Sequence, residues 1–253
     1  MHARRRCGAA DTVTLVAPLG GDAAADRVRD VARMEGLATR FAARPGATPV
    51  QHISHAADGE RIFVRYDEGV LGAYRIGASE RQLIAGSNVL ITTAFGKGLA
   101  MFESVIETPS HGLRVVDFTN LNDVGDALAF AEQHAERLHV GLFGLTRDDG
   151  AVIDGLEEVA RRTDRLFVVT LGPNGSLALG GPERIRCLAA PVEQVIDTTG
   201  AGDTFTAAFV CAFERDRDIA RSLAAGSAAA AETVQHLGAF ELSPPLSRRY
   251  DQG

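Results

Sequence analysis

The chain has 253 residues, 45% of them hydrophobic, and a formal net charge of −7 with the two signs interspersed. That composition suits one sizeable α/β domain, and the absence of tryptophan and of a basic patch interleaved with aromatics argues against a nucleic-acid binder. No apolar run approaches membrane-spanning length, and the arginine cluster in MHARRRCGAADTV has no apolar region behind it, so neither a membrane segment nor a secretion signal is expected.

In chain order, Thr12–Gly20 reads as a strand. DAAADRVRDVARMEG then reads as a helix with Ala24, Val28, Val31 and Ala32 on one face and Gly36 as its stop. Residues 48–67 break the rhythm: two strand-like runs flank Ala57-Asp58-Gly59, a turn signal, which predicts a β-hairpin. Alternation then resumes. NVLITT, LRVVDF, HVGLFG and LFVVTLG are short apolar strands, separated by helix-length segments such as DVGDALAFAEQHAERL and AVIDGLEEVARR. Apolar strands alternating with helices imply a mostly parallel sheet covered on both faces.

Near the C-terminal end, DTTGAGD (Asp197–Asp203) runs directly into TFTAAFVCAF. Phe205, Ala208, Phe209 and Ala212 recur at i, i+3, i+4 and i+7, so a buried helix starts near Gly202. Its first turn offers unpaired N–H groups and the positive end of the helix dipole, and Gly200, Ala201 and Gly202 leave room for a phosphate to approach the backbone. Asp203 would sit in that first turn as an ionised carboxylate able to accept a proton from a hydroxyl. The same pattern also fits an αβ turn capped by an aspartate, and the residues alone leave both readings open.

DTTGAGDTF resembles the C-terminal signature of the ribokinase (PfkB-type) carbohydrate kinases. VVTLGPNGSLAL resembles the nucleotide-binding strand and turn of that family, and SAAAAETVQHLGAF the helix and loop that close over adenine. LGGD (Leu19–Asp22) and DGERIFVRYDEGV fall in family order, so the resemblance runs from about Thr12 to Phe240. Within the family, DGERIFVRYDEGVLGAY, VVTLGPNGS and ETVQHLGAF look most like the fructoselysine 6-kinase branch, which phosphorylates a sugar-amine adduct.

The resemblance implies a ribokinase-like fold with a small hairpin lid at about residues 48–67, and an ATP-dependent kinase that uses Mg²⁺. Asp203 matches the catalytic base, and Gly200, Ala201 and Gly202 match the anion hole, in keeping with phosphoryl transfer by positioning and electrostatics. Thr170, Gly172, Asn174 and Gly175 match the nucleotide-contacting turn, and Ser227 a position beside the adenine. Asp197 and Thr199 match positions that hold a monovalent cation such as K⁺. Arg65, Tyr66 and Asp67 on the lid are candidate substrate-side groups. A small-molecule sugar or sugar-amine partner, a homodimer through the lid and a cytoplasmic location complete the expectation.

Two departures from the family pattern stand out. The family's Asn-x-x-Glu element, which orders Mg²⁺-bound water and phosphate, is here LTRD: Asp148 can replace the glutamate, but Leu145 cannot do the work of an asparagine. The family's first strand, with its substrate-binding aspartate, and the following Gly-Gly-Asn are absent, and ARRRCGAADTVTLVAPLGGD resembles the end of the first helix and the next strand. The expectation is an N-terminally truncated domain, with a kinase of sugars or sugar-amines as first reading, another sugar or nucleoside kinase as second, and a non-catalytic nucleotide-binding remnant as third.

Other motifs are set aside. GKG at Gly96–Gly98 lacks P-loop spacing, no G-x-G-x-x-G follows the first strand, and the histidines form no metal pattern; His52, His55 and His236 read as surface or hairpin residues. Cys7, Cys187 and Cys211 suggest neither a metal site nor a disulfide framework, which fits a reducing compartment, and Cys211 reads as a small core residue.

Overall fold

The computed structural model describes residues 2–8, 11–55, 61–119 and 126–239. Its centre is a six-stranded sheet in the order β10-β9-β8-β7-β6-β5. Strands β5 (Val89–Thr93), β6 (Leu113–Asp117), β7 (Val140–Gly144) and β8 (Leu166–Thr170) run parallel, and β9 (Ser176–Leu179) and β10 (Ile185–Cys187) continue the sheet antiparallel. The four parallel strands are the four apolar runs read from the sequence.

Period-two alternation on these strands feeds two cores. Val116, Phe143, Phe167 and Val169 point to one face, where they pack with α5 (Ala127–Ala135) and α6 (Gly150–Thr163). Val115, Leu142 and Val168 point to the other face and meet Phe205, Phe209 and Val210 of α7 (Ala201–Asp216) and Leu223 of α8 (Ile219–Thr233). On the first face Phe118 stacks on Phe143 at 4.8 Å between ring centres, and Phe143 meets Phe167 edge-on at 5.1 Å. Phe118 and Phe143 lie by the C-terminal ends of β6 and β7, beneath the rim on which loops are placed, and Phe167 lies near the start of β8.

The predicted first strand is β1 (Thr14–Leu19), and the helix behind it is α2 (Ala23–Met34), which ends before Gly36 at φ 64°. β1 pairs in parallel with β2 (Ala38–Ala43) in a ladder of its own, separate from the six-stranded sheet. Ala42 of β2 and Leu90 of β5 both pack on a third small core of Tyr74, Ile76, Ile84 and Val105. The helices α3 (Ala78–Ala85) and α4 (Leu99–Ile106) supply Ile84 and Val105.

The hairpin is present as antiparallel β3 (Val50–His55) and β4 (Arg61–Asp67); its predicted Ala57-Asp58-Gly59 turn lies outside the described residues. Asp22 ties the hairpin's base to the body. Its carboxylate caps α2 by accepting from the Ala25 amide, and it also accepts from the Thr48 amide at 2.7 Å and the Thr48 hydroxyl at 2.6 Å. These bonds hold the Asp22 carboxyl below the usual aspartate range.

A further short helix, α1 (His2–Arg6), lies against α7, and Cys7 is joined to Cys211 of α7 by a disulfide. This corrects the sequence reading, which saw no disulfide and took Cys211 for a core residue only. The pair is 204 residues apart in sequence, and only the docking of α1 brings the Cα atoms to 5.6 Å.

The ring stack under the rim gives a stability prediction. Phe143 is 1% exposed, and Phe143→Ala should destabilise the protein by about 3–5 kcal/mol, because it leaves a cavity between two other rings. Urea unfolding followed by circular dichroism would read the loss.

Candidate active site

The loop that enters α7 is held by a buried carboxylate. Asp197 is 3% exposed. Its Oδ1 accepts from the Thr199 amide at 2.8 Å and the Thr199 hydroxyl at 2.6 Å, while Oδ2 accepts from the Gly238 amide at 2.9 Å. Two segments distant in sequence, 197–200 and 236–239, are thereby locked together.

Gly200 then turns the chain into the helix with φ 78°, in the left-handed region that glycine adopts without cost. A side chain would fail there on a second count, since a Cβ at Gly200 would lie 2.6 Å from that of Ala239. The Gly200 carbonyl accepts both the Thr204 amide and the Thr204 hydroxyl at 2.9 Å, so the first turn is closed from within. Gly202 and Asp203 remain exposed at this helix start, with open space around Gly202.

The sequence reading passed over Asp117, at the C-terminal end of β6. Its Oδ1 accepts the Thr119 amide at 2.8 Å, and the hydroxyl of Thr206, on α7, donates to its Oδ2 at 3.3 Å. Burial above all, with the Asp203 carboxylate nearby, pushes Asp117 up to about 6. The available signal was an acid closing the mostly apolar parallel strand LRVVD, on the edge where such sheets place their ligands.

The predicted nucleotide turn lies on the same rim. The Gly144 amide donates to the Thr119 carbonyl, and the Leu145 amide to the Thr170 carbonyl, so the ends of β6, β7 and β8 are stitched in a row. Beyond Thr170 the chain makes a short 3-10 turn at Gly172–Asn174 and reverses at Gly175 into β9, with the Leu171 amide bonded to the Gly175 carbonyl. A cavity of about 370 Å³ opens beside this turn, lined by Leu171, Asn174, Ile153, Arg147, Arg184 and Arg186 among others.

Ser227 holds the loop after β10 against α8. Its hydroxyl accepts from the Ala190 amide at 2.8 Å and donates to the Leu188 carbonyl at 3.2 Å. In the LTRD segment the neighbouring acid does the capping: Asp149 accepts from the amide and hydroxyl of Thr146, both at 2.7 Å, while Asp148 is exposed. Leu145 packs on the core.

The three lid residues do not act on one face. Arg65 and Asp67 share a side of β4, where the Arg65 guanidinium, the His52 ring and Asp67 meet within 2.9–3.2 Å. Tyr66 points the other way and meets Phe95 edge-on at 5.8 Å. Among the described residues no group of three His, Cys, Asp or Glu side chains is arranged to hold a metal, and no helix is long and apolar enough to cross a membrane.

Asp117 supplies a pH prediction. Its folded-state value of about 6 lies above the ordinary 3.8, so between these values the folded state holds more protons than the unfolded state, and stability falls as pH rises from about 4 to 6. Asp117→Asn should remove that slope and raise stability at pH 7, by at most about 3 kcal/mol. Thermal melting of both proteins from pH 4 to 8 checks the sign.

Comparison with known proteins agrees with this geometry. Residues 124–245 match the pfkB family carbohydrate kinase family. Fructoselysine 6-kinase of Shigella flexneri is 26% identical over 84% of this chain and 78% of that protein, and the Escherichia coli fructoselysine 6-kinase gives the same figures. The ribokinase structure from Thermotoga maritima superimposes with a TM-score of 0.76, covering 98% of this chain and 82% of that one at 20% identity. The adenosine kinase structure from Sinorhizobium meliloti gives 0.77, covering 95% and 77% at 19% identity. The chain has a ribokinase-like fold, and its residues 124–245 are similar to the PfkB-family carbohydrate kinases.

Proposed function

We propose that this protein transfers the γ-phosphoryl group of ATP to a hydroxyl of a sugar or sugar-amine adduct of the fructoselysine kind. The observation that carries the reading is an exposed Asp203 in the first turn of α7, directly after the left-handed Gly200 and the open Gly202. In this reading Asp203 takes the proton of the acceptor hydroxyl as its oxygen attacks the γ-phosphorus and ADP departs. The amide of Gly202 faces the charge that grows on the transferring group, while that of Ala201, placed with it in the anion hole by resemblance, donates to the Thr198 carbonyl. The nucleotide lies across Thr170, Gly172, Asn174 and Gly175, on the rim that β6 to β8 share with the α7 start.

Ser227 supports the adenine side through the loop it fastens, since both capacities of its hydroxyl are already used on backbone groups. Asp197 and Thr199 act in the same way on the cradle, and a monovalent cation there would bind next to a loop that protein donors already hold. Mg²⁺ would neutralise phosphate charge. Asp148, exposed on the turn after β7 while Asp149 is committed to Thr146, is the acid assigned to it.

The fructoselysine preference rests on the relatives of that name and on the hairpin sequence. The hairpin also presents exposed Ile62 and Val64, which suit pairing with a second copy of this chain. The alternative acceptors are ribose, fructose and nucleosides.

Two measurements test the reading. ADP release with fructoselysine, fructose, ribose and adenosine as acceptors should be fastest with the sugar-amine; preference for adenosine would favour a nucleoside kinase, and no release with any acceptor would favour a nucleotide-binding remnant. Asp203→Asn should still bind ATP but turn over about 10²–10⁴-fold more slowly, the usual loss of general-base assistance. Equal turnover would remove Asp203 from its role.

A further inference from the structure

Helix α1 is attached to the back of the site by three kinds of contact. The His2 Nδ1 lies 2.8 Å from the Thr204 hydroxyl, which itself donates to the Gly200 carbonyl. With its one proton used on Gly200, the hydroxyl accepts from the ring N–H. Burial, with positive charge nearby, pushes His2 down to about 4, so the ring is a neutral donor at pH 7. Arg5 pairs with Glu35 just after α2, Arg6 pairs with Glu232 on α8, and the disulfide joins Cys7 to Cys211 two turns along α7 from Thr204. Thr204 is buried and Asp203 exposed, so α1 supports the helix start from behind and leaves its front open.

The disulfide has an approach. A cleft of about 380 Å³ between α7 and α8 is lined by Cys211, three arginines (Arg6, Arg215 and Arg221), one acid, Asp216, which pairs with Arg221, and small alanines. The Arg215 Nε donates to the Cys211 carbonyl. Guanidinium groups beside a thiol favour its thiolate and attract anionic partners.

We infer that Cys7 and Cys211 form a redox clamp: a low-molecular-weight, anionic disulfide entering this cleft closes it, and the closed clamp holds α1 on α7 and stiffens the Gly200–Asp203 cradle. The Cys211 thiolate, which lines the cleft, attacks first, forming a mixed disulfide and releasing one small thiol. The Cys7 thiolate then attacks the Cys211 sulfur, forming the Cys7–Cys211 bond and releasing the second. Two protein thiols are oxidised by two electrons, and one small disulfide is reduced to two thiols, which take up the two protons. Reduction reverses both steps and frees α1 to leave Thr204.

The test uses the full chain, equilibrated with glutathione disulfide or with dithiothreitol. Non-reducing digestion and mass spectrometry should find the Cys7 and Cys211 peptides linked after oxidation. The oxidised form should melt higher by on the order of 5–15 °C, as closure of a long loop predicts. It should also bind ATP about 2- to 10-fold more tightly, the span of one hydrogen bond at the site. Cys7→Ser should abolish all three responses, and Cys187→Ser should retain them. His2→Ala should keep the linked peptide and lose the gain in ATP affinity.

Absence of the linked peptide, a redox response that survives in Cys7→Ser, or a linked form that melts and binds no differently would each overturn the clamp. Only the ATP measurement rests on the kinase reading. Failure of every acceptor would count against that reading, while peptide mapping and melting would still decide the clamp.

Discussion

A helix can offer its first amides to an anion only if the chain reaches its first turn from off the axis, and here that approach depends on one backbone conformation. Gly200 takes φ 78°, and the Asp197 carboxylate bonded to Thr199 and Gly238 keeps the loop from relaxing. Thr204 closes the turn by donating to the Gly200 carbonyl. Without the left-handed turn the amide of Gly202 would be directed elsewhere, and the carboxylate of Asp203 would lose its position relative to it.

This constraint explains why several residues matched to ligand roles are occupied with protein partners. Asp197 and Ser227 bond backbone groups around the site, and the Thr199 hydroxyl donates to the Asp197 carboxylate. Their contribution is shape: they hold the loops around the helix start, where Gly202 and Asp203 are exposed. A buried polar side chain with its bonds satisfied makes a rigid fastener, and a rigid cradle avoids reorganisation when charge develops.

The strands and helices of the core were legible because their periods are clean. LRVVDF, HVGLFG and LFVVTLG are too short for helices and too apolar for surface strands, and each lies in the parallel sheet. The start of α7 was legible for the same reason, since glycine and small residues ahead of a 3.6-period run mark where a helix begins. Period two also dictates that Arg65 and Asp67 face away from Tyr66, which separates residues that a motif reading had grouped. Asp117 and the Cys7–Cys211 pair were not legible. The meaning of each depends on a contact across the fold, with Thr206 and Asp203 for the first and through the docking of α1 for the second. No local pattern records such contacts.

The two carboxylates at the helix start are in different surroundings, and the difference bears on how a phosphate can approach. Asp203 is exposed to solvent, whereas burial holds the proton on Asp117 up to about 6. The Asp203 carboxylate is one of the causes that raise Asp117, so two acids stand close together beside the start of α7. Each amide offers only a partial positive charge. On the proposed kinase reading, a triphosphate gains most from this helix start when its own charge arrives partly neutralised, by a divalent cation or by nearby guanidinium groups such as Arg147 and Arg186 in the cavity beside the Gly172–Asn174 turn. On the same reading the repulsion between the two acids is relieved as Asp203 takes up the hydroxyl proton, so the electrostatic cost of placing a base beside an anion is offset within the transfer itself.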